Sequence, residues 1–366
     1  MNSEPQTLLI FEPLSGGHRS NFIRWIADAS PEYSGCRFVF FTADDVEESV
    51  SERIASAGWW KKQMLLYRLF REACRKYKPD QVLVLELTQL ELPLVLFGSP
   101  VPLSAILFVQ YPELPRGLKF FSKHWKTRLL LLRAPVKNLF LLNGEKSCRY
   151  LSQHFGSQTK FIPIPDPASD ILAEEGFSLR AHFNIPAARK CFLFFGAISR
   201  RKGADVLLSA LQRIAPEVAK QSAFIFCGEP EAPYKNEFQN SVAAVRDLGW
   251  VEIHVENRFV SDERMMALFE QCDGVLMPYT RPEYSSGILA LAAKAGKPVL
   301  GPIGGLLGRL IEENRLGATT VVNPAALAEA LARPICADKA RQRDFAEQSR
   351  SSDFSKIILS AICHES

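Results

Sequence analysis

The clearest evidence for the fold class is the segment MPYTRPEYSSGILALAAKAGKPVLGPIGGLLGRLI, residues 277–311. It starts at the end of an apolar run, residues 274–277, which predicts a β-strand that stops at a proline. A polar turn at residues 283–287 precedes an Ala-rich helix, and a second predicted strand, residues 298–300, leads into the glycine loop 301–305. This order of strand, loop and helix is typical of a parallel sheet with helices on both faces.

The same alternation runs along the whole chain. Strands are predicted at residues 7–11, 37–41, 81–85, 104–109, 138–142 and 160–163, and again at 191–195, 223–227, 252–255, 274–277, 298–300 and 319–322. Helices are predicted at residues 59–77, 203–214, 237–247, 261–271, 286–295, 306–313, 324–332 and 354–362. Three prolines within residues 161–170 interrupt the pattern and indicate a semi-rigid linker.

The predicted fold class is therefore α/β, with two Rossmann-like doubly wound domains facing a cleft. The N-terminal domain is expected over residues 1–165 and the C-terminal domain over residues 170–350, followed by a last helical segment at 351–366. In such domains, ligands bind at the carboxyl ends of the strands.

Composition narrows the function classes. The 366 residues suffice for about two domains. The 44 basic and 40 acidic residues give a net charge of only +4, which argues against an obligate nucleic-acid binder. No apolar run reaches the roughly 18–20 residues of a membrane-spanning helix, and the start of the chain lacks a signal-peptide pattern. The eight cysteines form no C-x-x-C pair, so we expect small buried side chains in a reducing cytoplasm rather than metal ligands.

Two glycine-containing loops follow predicted strands. Gly16 and Gly17 open a turn before a helix that starts near His18, where backbone N–H groups could approach a ligand; a tight turn without a ligand is the alternative. In FFGAISRRKGADVLLSAL, the cations Arg200, Arg201 and Lys202 are a natural counter-charge for a diphosphate, or else a solvated loop. Neither loop is a G-x-G-x-x-G fingerprint or a G-x-x-x-x-G-K-[ST] phosphate loop.

The polar turn before the Ala-rich helix is a further candidate anion site. Ser285, Ser286 and Gly287 would place unpaired N–H groups at the amino end of that helix.

The second half of the sequence resembles the donor-binding domain of family 4 glycosyltransferases, which have the GT-B fold. The matching stretches are G-x5-KG at residues 196–203, E-x3-G-x8-G-x-PV at residues 283–299 and the loop GPIGG at residues 301–305. The turn SGGH at residues 15–18 resembles the glycine turn of the acceptor domain of that family. The resemblance implies the proline-bearing linker and a final helix that crosses back to the first domain.

The resemblance also implies roles for individual residues. Lys202, with a nearby Arg200 or Arg201, would hold the diphosphate of a nucleotide-sugar donor. Glu283, as the first glutamate of the E-x7-E motif of the family, would contact hydroxyls of the donor sugar. Ser286 and Gly287 would offer N–H groups to the phosphates.

The implied reaction retains the anomeric configuration and uses same-face attack, in which the departing phosphate takes the acceptor proton. Gly17 would lie beneath the donor or acceptor. No D-x-D motif is present to carry a metal, so neither a metal nor another cofactor is expected.

Three departures bear on activity. Leu291 occupies the position of the second E-x7-E glutamate, so ribose recognition must differ or be lost. Ala197 replaces the arginine that often follows the first glycine of the G-x5-KG motif. The histidine of the acceptor side is not evident; His18, His124 and the carboxylate of Glu113 are the polar groups that could lie nearby.

Residues 116–133 form a basic amphipathic segment. Its apolar positions recur at helical spacing, and its basic positions lie on an adjoining face; they are Leu118, Phe121, Trp125, Leu129 and Leu132, and Lys119, Lys123, Lys126 and Arg133, with Arg116 just before. The pattern fits a helix on an anionic membrane. A packed helix with a solvated basic side is the favoured alternative.

The sequence therefore predicts a cytoplasmic, retaining glycosyltransferase that moves a sugar from a nucleotide-sugar donor to a polysaccharide, lipid-linked or other glycan acceptor. Peripheral contact with the inner face of the cell membrane is a further option. Lys202 and Glu283 are the expected catalytic residues. A non-catalytic GT-B-fold binding or regulatory partner is the alternative, supported by Leu291 and the missing histidine. A nucleotide-sugar epimerase ranks last.

Overall fold

The computed structural model describes residues 5–16, 19–108, 111, 114, 117–155 and 158–363. The chain divides into two compact units, Met1–Pro165 with Ser351–Ser366, and Asp166–Arg350. Each unit contains one six-stranded parallel sheet with flanking helices, which confirms the predicted α/β class of two doubly wound domains. No helix within the described residues is long and apolar enough to cross a membrane.

The strands lie close to their predicted positions. In chain order they are β1 Gln6–Phe11, β2 Cys36–Phe41, β3 Gln81–Val84, β4 Leu103–Leu107, β5 Val136–Leu142, β6 Lys160–Ile164, β7 Lys190–Phe195, β8 Ser222–Cys227, β9 Glu252–Glu256, β10 Gly274–Leu276, β11 Val299–Pro302 and β12 Gly317–Thr320. The sheet of the first unit has the order β2-β1-β3-β4-β5-β6, and that of the second β12-β11-β10-β7-β8-β9. Strands such as β4 and β8 are buried at every position, because helices cover both faces of a parallel sheet.

The helices complete each unit. They are α1 Arg19–Ala29, α2 Glu48–Ser56, α3 Trp59–Tyr77, α4 Glu91–Phe97, α5 Leu118–Arg133, α6 Glu145–Phe155, α7 Leu179–Phe183, α8 Ala204–Leu211, α9 Pro216–Ala219, α10 Lys235–Arg246, α11 Asp262–Gln271, α12 Gly287–Lys294, α13 Gly305–Glu313, α14 Pro324–Leu331, α15 Lys339–Gln348 and α16 Ser351–Cys363.

Five of these helices, α4, α6, α7, α9 and α15, lie where no helix is predicted. Several are too short for a clear 3.6-residue period, and α15 buries only Gln342 and Phe345. The first residues of the predicted linker instead finish β6, and the boundary between the units follows Pro165.

The structure overturns the favoured expectation for the amphipathic segment. The apolar positions Phe121, Trp125 and Leu132 are 60%, 58% and 74% exposed, so this row of side chains faces solvent. Lys123 and Lys126 instead turn inward, where their ammonium groups lie 2.7 and 3.2 Å from the carboxylate of the buried Glu91 on α4. The inward position of these two lysines depends on Glu91, which is 32 residues or more away in the sequence.

The last helix belongs to the core of the first unit. Phe354 on α16 is fully buried, and its ring centroid lies 4.6 Å from that of Phe22 and 6.0 Å from that of Trp25, both on α1. Ser360 shares a 2.9 Å hydrogen bond with the hydroxyl of Tyr33. The end of the chain therefore covers one face of the first sheet.

We expect Phe354→Ala to lower the free energy of unfolding by about 3–5 kcal/mol, because it leaves a cavity among aromatic rings. Urea unfolding followed by tryptophan fluorescence measures this loss. Leu172→Ala is the control, since Leu172 is 85% exposed and its truncation should change stability by less than about 0.5 kcal/mol. Equal stability of the two variants would contradict the packing described for α16.

Candidate functional site

The carboxyl edge of the second sheet brings the predicted donor motifs together. The chain passes from β7 outward to β8 and β9, then returns to β10 on the other side of β7. Loops that leave β7 and β10 therefore diverge, which is where open α/β sheets bind ligands. The loop after β11 leaves the same edge, because neighbouring β10 and β11 are parallel.

Lys202 is the buried cation of this edge. It ends a 3-10 turn, Arg200–Lys202, whose first turn is capped by the side chain of Ser199. Its ammonium donates to the carbonyl of Phe195 at 3.3 Å and lies 5.6 Å from the ring centroid of Tyr279. Lys202 is only 9% exposed. No carboxylate oxygen of the described residues lies within 4.0 Å of its ammonium nitrogen, the limit for an ion pair. A buried ammonium without a counter-ion is suited to an anionic ligand.

Two glycines, Gly196 and Gly203, make room for the side chain and the turn of Lys202. A Cβ atom on Gly196 would lie 2.4 Å from the ammonium of Lys202, so a larger residue would displace it. Gly203 has a φ of +75° and would place a Cβ 1.8 Å from the carbonyl oxygen of Pro278. Close approach to backbone thus requires glycine at position 203, and a φ of +94° favours glycine at position 196.

The loop after β10 is tied to the lysine turn. The backbone N–H of Thr280 donates to the carbonyl of Arg201 at 3.1 Å, and its hydroxyl donates to the carbonyls of Arg200 and Arg201, also at 3.1 Å. The hydroxyl of Tyr279 lies 3.3 Å from that of Ser286, which precedes the first residue of α12. Tyr279 therefore links the surroundings of Lys202 to the amino end of α12.

Glu283 lies in a turn that packs on the glycine loop. The N–H of Leu307 on α13 donates to the carbonyl of Pro282 at 2.9 Å. Gly305, with a φ of +62°, approaches Pro282 so closely that a Cβ would lie 2.7 Å from it. Glu283 itself is half-buried, and no hydrogen bond or ion pair of its carboxylate is found within the described residues. Its oxygens are available to hydroxyl groups of a ligand.

Asp166 is a neighbour of α12 that sequence reasoning missed. Burial raises the pKa of Asp166 to about 6, although a hydrogen bond with Ser285 lowers it. Its Oδ1 atom lies 3.6 Å from the position that a Cβ on Gly287 would take. Ser285 is therefore engaged by a carboxyl group of its own domain, and the ionised carboxylate lies at the positive end of the helix.

The two arginines of the motif differ in their contacts. Arg200 is 64% exposed, forms an ion pair with Glu237 on α10 and lies over the ring of Tyr234. Arg201 is exposed, and no ion pair of its side chain is found in the described part of the chain. Arg200 is thus held toward α10, whereas Arg201 lies at the rim with its charge available to a ligand.

Leu291 is 6% exposed and belongs to the hydrophobic core between α12 and the second sheet. The position of the second E-x7-E glutamate is therefore part of the packing of this domain. His124 is held in an aromatic cluster, with its Nδ1 atom 3.3 Å from the hydroxyl of Tyr150. Gly17, His18 and Glu113 lie outside the described residues.

The first unit has a pair of carboxylates at its switch point, where the connections that leave the neighbouring strands β1 and β3 run in opposite directions. Glu12 and Glu86 follow the ends of β1 and β3, and Arg19 lies between them, 3.4 Å from Glu12 and 2.5 Å from Glu86. Gln89 also donates to Glu86 at 2.6 Å. Burial raises the pKa of Glu12 to about 7, and this effect exceeds the opposing effect of Arg19. Both strands end in an apolar run followed by glutamate, and this repeated pattern is the sequence signal for the pair.

Glu12→Gln should change how stability depends on pH. An unfolded glutamate loses its proton near the ordinary pKa of 4.5, but the folded one keeps it until about pH 7. The contribution of Glu12 to the stability of the wild type therefore falls as pH rises from about 4.5 to about 7 and is level above that range. We expect the variant to gain about 1–3 kcal/mol relative to the wild type between pH 5 and pH 8.

Urea unfolding at the two pH values measures this difference, with Glu48→Gln on the exposed face of α2 as the matched control. The control should follow the wild type, because water solvates that carboxylate in both states. If Glu12→Gln and the wild type kept the same difference between pH 5 and pH 8, the burial described for Glu12 would not affect its ionisation.

Comparison with known proteins gives a family match for part of the chain. Residues 189–336, which lie within the second unit, match the family model described as Glycosyl transferases group 1. No curated protein sequence matches the chain.

Solved structures share the whole architecture. An α,α-trehalose-phosphate synthase (UDP-forming) from Burkholderia vietnamiensis has a TM-score of 0.69 at 13% identity, with all of both chains covered. Sucrose-phosphate synthase from Thermosynechococcus elongatus has a TM-score of 0.64 at 15% identity, covering 99% of this chain and 97% of its own. Anabaena Alr3699/HepE, in complex with UDP and glucose, has a TM-score of 0.59 at 16% identity, covering 97% and 95%. The fold is GT-B, and the family match supports a glycosyltransferase.

Proposed function

We propose that this protein is a retaining glycosyltransferase, similar to family 4, that moves a sugar from a nucleotide-sugar donor to a hydroxyl of a polysaccharide, lipid-linked or other glycan acceptor. The observation that carries the proposal is the buried ammonium of Lys202, which has no carboxylate partner among the described residues. It lies within the residues that match the glycosyltransferase family. Six of the eight cysteines are buried, which favours a structural role in a reducing compartment, so we assign the protein to the cytoplasm.

The donor is proposed from the charge of the site. Cleavage of the bond between the anomeric carbon and the phosphate oxygen leaves negative charge on the diphosphate, and Lys202 stabilises that charge without a metal. The N–H groups at the start of α12, near Ser286 and Gly287, and the rim cation Arg201 add to it. Because the Anabaena neighbour is described with UDP and glucose, a UDP-sugar is the first donor to test.

The acceptor step needs no nucleophile from the protein. The acceptor hydroxyl attacks the anomeric carbon on the face that the diphosphate leaves, and its proton passes to the departing phosphate oxygen. The hydroxyl oxygen gains the bond to carbon that the phosphate oxygen loses. The carboxylates of Glu12 and Glu86 are proposed to accept hydrogen bonds from other hydroxyls of the acceptor.

A non-catalytic binding partner of the same fold is the second candidate. Its support is Leu291, which is packed in the core and offers no hydrogen bond to a ribose. Such a protein would bind a nucleoside diphosphate weakly and would show no turnover with any acceptor. Thermal shift with nucleoside diphosphates and nucleotide sugars, followed by a hydrolysis and transfer assay, separates the two candidates, because a ligand of the folded state raises the melting temperature.

Lys202→Ala should lower kcat/KM by roughly 10²–10³, as expected when one preorganised charge is removed from a leaving-group site. Steady-state transfer from the donor found by thermal shift measures this effect. Gly196→Ala keeps the lysine but displaces its ammonium, which would otherwise lie 2.4 Å from the new Cβ atom. It should therefore reproduce much of the loss.

The matched control is Arg200→Ala, because Arg200 is paired with Glu237 and its loss should reduce kcat/KM far less. Turnover of Lys202→Ala at the wild-type rate would remove the lysine from the mechanism.

Glu283→Ala should weaken the nucleotide sugar more than the bare nucleoside diphosphate. A carboxylate that accepts hydrogen bonds from sugar hydroxyls contributes about 1–3 kcal/mol, and the bare nucleotide lacks those hydroxyls. Calorimetric titration of both ligands measures the difference.

Leu291→Glu is the companion variant, and we expect it to destabilise the domain because it buries a carboxylate in an apolar core. If Glu283→Ala bound both ligands as the wild type does, the glutamate would be structural and the non-catalytic candidate would gain support.

A further inference from the structure

The outer face of α5 carries a row of exposed apolar side chains. Phe121, Trp125, Leu129 and Leu132 follow one another at spacings of four, four and three residues, which places them on one side of the helix. They are 60%, 58%, 40% and 74% exposed. A helix in a water-soluble domain normally turns such a row toward the core, so this arrangement calls for a partner surface.

The neighbouring helix extends the row into a patch. α4 packs beside α5, because Lys123 on α5 forms an ion pair with Glu91 on α4. The two helices also approach closely at Gly98, where an added Cβ atom would lie 3.2 Å from the carbonyl oxygen of Arg133. Leu96 and Phe97, at the end of α4, are 44% and 58% exposed. We call the six side chains Phe121, Trp125, Leu129, Leu132, Leu96 and Phe97 the α4–α5 face. Several large apolar residues gathered on one surface mark an interaction site.

Packing inside the unit leaves this face outward. Leu130 and Thr127 point inward and are 1% exposed. Lys123 and Lys126 are bound to Glu91 on the inner side of α5. Rotating the helix to bury the apolar row would break both ion pairs and leave Glu91, which is 3% exposed, without its cations. The outward orientation is therefore held by a buried charge cluster.

The charges around the face select its partner. Lys123 and Lys126 are paired with Glu91, so the basic residues of α5 that flank the face are Arg128 and Arg133, and α5 contains no acidic residue. The helix α3, whose Tyr67 stacks on Phe97 of α4, contains six basic residues and one acidic. Arg128 and Arg133 are exposed beside the apolar row, with the guanidinium of Arg128 5.7 Å from the ring centroid of Trp125. A second copy of this chain would present the same positive charge and repel it. An anionic surface would complement it.

We propose that the α4–α5 face docks on a membrane surface that contains anionic phospholipid. Trp, Phe and Leu enter the boundary between headgroups and acyl chains, and the arginines remain at the depth of the phosphates. The face lies wholly in the first unit, at helices that do not carry the donor motifs. Docking is therefore independent of nucleotide binding, and it is tested without donor or acceptor.

The test is sedimentation of the full chain with vesicles of phosphatidylcholine, alone or mixed with phosphatidylglycerol. We expect binding to the mixed vesicles, little binding to the neutral ones, and release by high salt. Trp125→Ser/Leu132→Ser should weaken binding at least about tenfold by removing the inserted groups. Arg128→Glu/Arg133→Glu should weaken it comparably at low salt by removing the attraction to headgroups.

Each variant has a matched control in the second unit. Leu172→Ser removes an apolar side chain that is 85% exposed, and Arg213→Glu/Lys220→Glu reverses two exposed charges. Both should bind vesicles as the wild type does. Melting temperatures check that each variant folds. If one double variant does not fold, vesicle binding by the other double variant still tests the proposal.

Three results would overturn the proposal. One is no binding of the wild type to mixed vesicles. Another is binding of both double variants at the wild-type level. The third is a wild-type protein that does not bind vesicles but forms a dimer in sedimentation equilibrium, with Trp125→Ser/Leu132→Ser dissociating that dimer. This result would assign the face to a second copy of the chain.

Discussion

Gly203 approaches the carbonyl oxygen of Pro278 so closely that a Cβ atom would lie 1.8 Å from it. This contact joins the loop after β7 to the loop after β10, and the hydrogen bonds of Thr280 reinforce it. The position of Lys202 beside Tyr279 depends on the two loops being held together. Tyr279 in turn contacts Ser286, so the same loop contacts place the amino end of α12 relative to Lys202.

The second constraint is the burial of charge. Lys202 is buried without a carboxylate among the described residues, while the switch point of the first sheet buries Glu12 beside Arg19. Buried ionisable groups are costly, and such groups at strand ends commonly mark functional sites. The cationic edge suits a diphosphate, and the carboxylate edge suits hydroxyl groups. The two units thus present opposite charge at these strand ends.

Buried charge also controls the surface of the first unit. Glu91 draws Lys123 and Lys126 inward, and the apolar side chains on the other side of α5 are left in water. An ion-pair cluster inside the domain therefore determines which face of a helix is free to meet a partner. The same helix sequence without Glu91 would be expected to bury its apolar row.

The order of residues along the chain was enough to predict the α/β class and nearly every strand, because buried parallel strands are short apolar runs bounded by turn residues. It also indicated Lys202, Glu283 and Ser286, since those types follow strand ends. Three features depend on the folded chain: the pairing of Arg200 with Glu237, the core position of Leu291 and the outward face of α5. Arg200 and Glu237 are 37 residues apart, and Glu91 is 32 from Lys123. Local periodicity carries no information about partners at such separations, because folding alone brings them together.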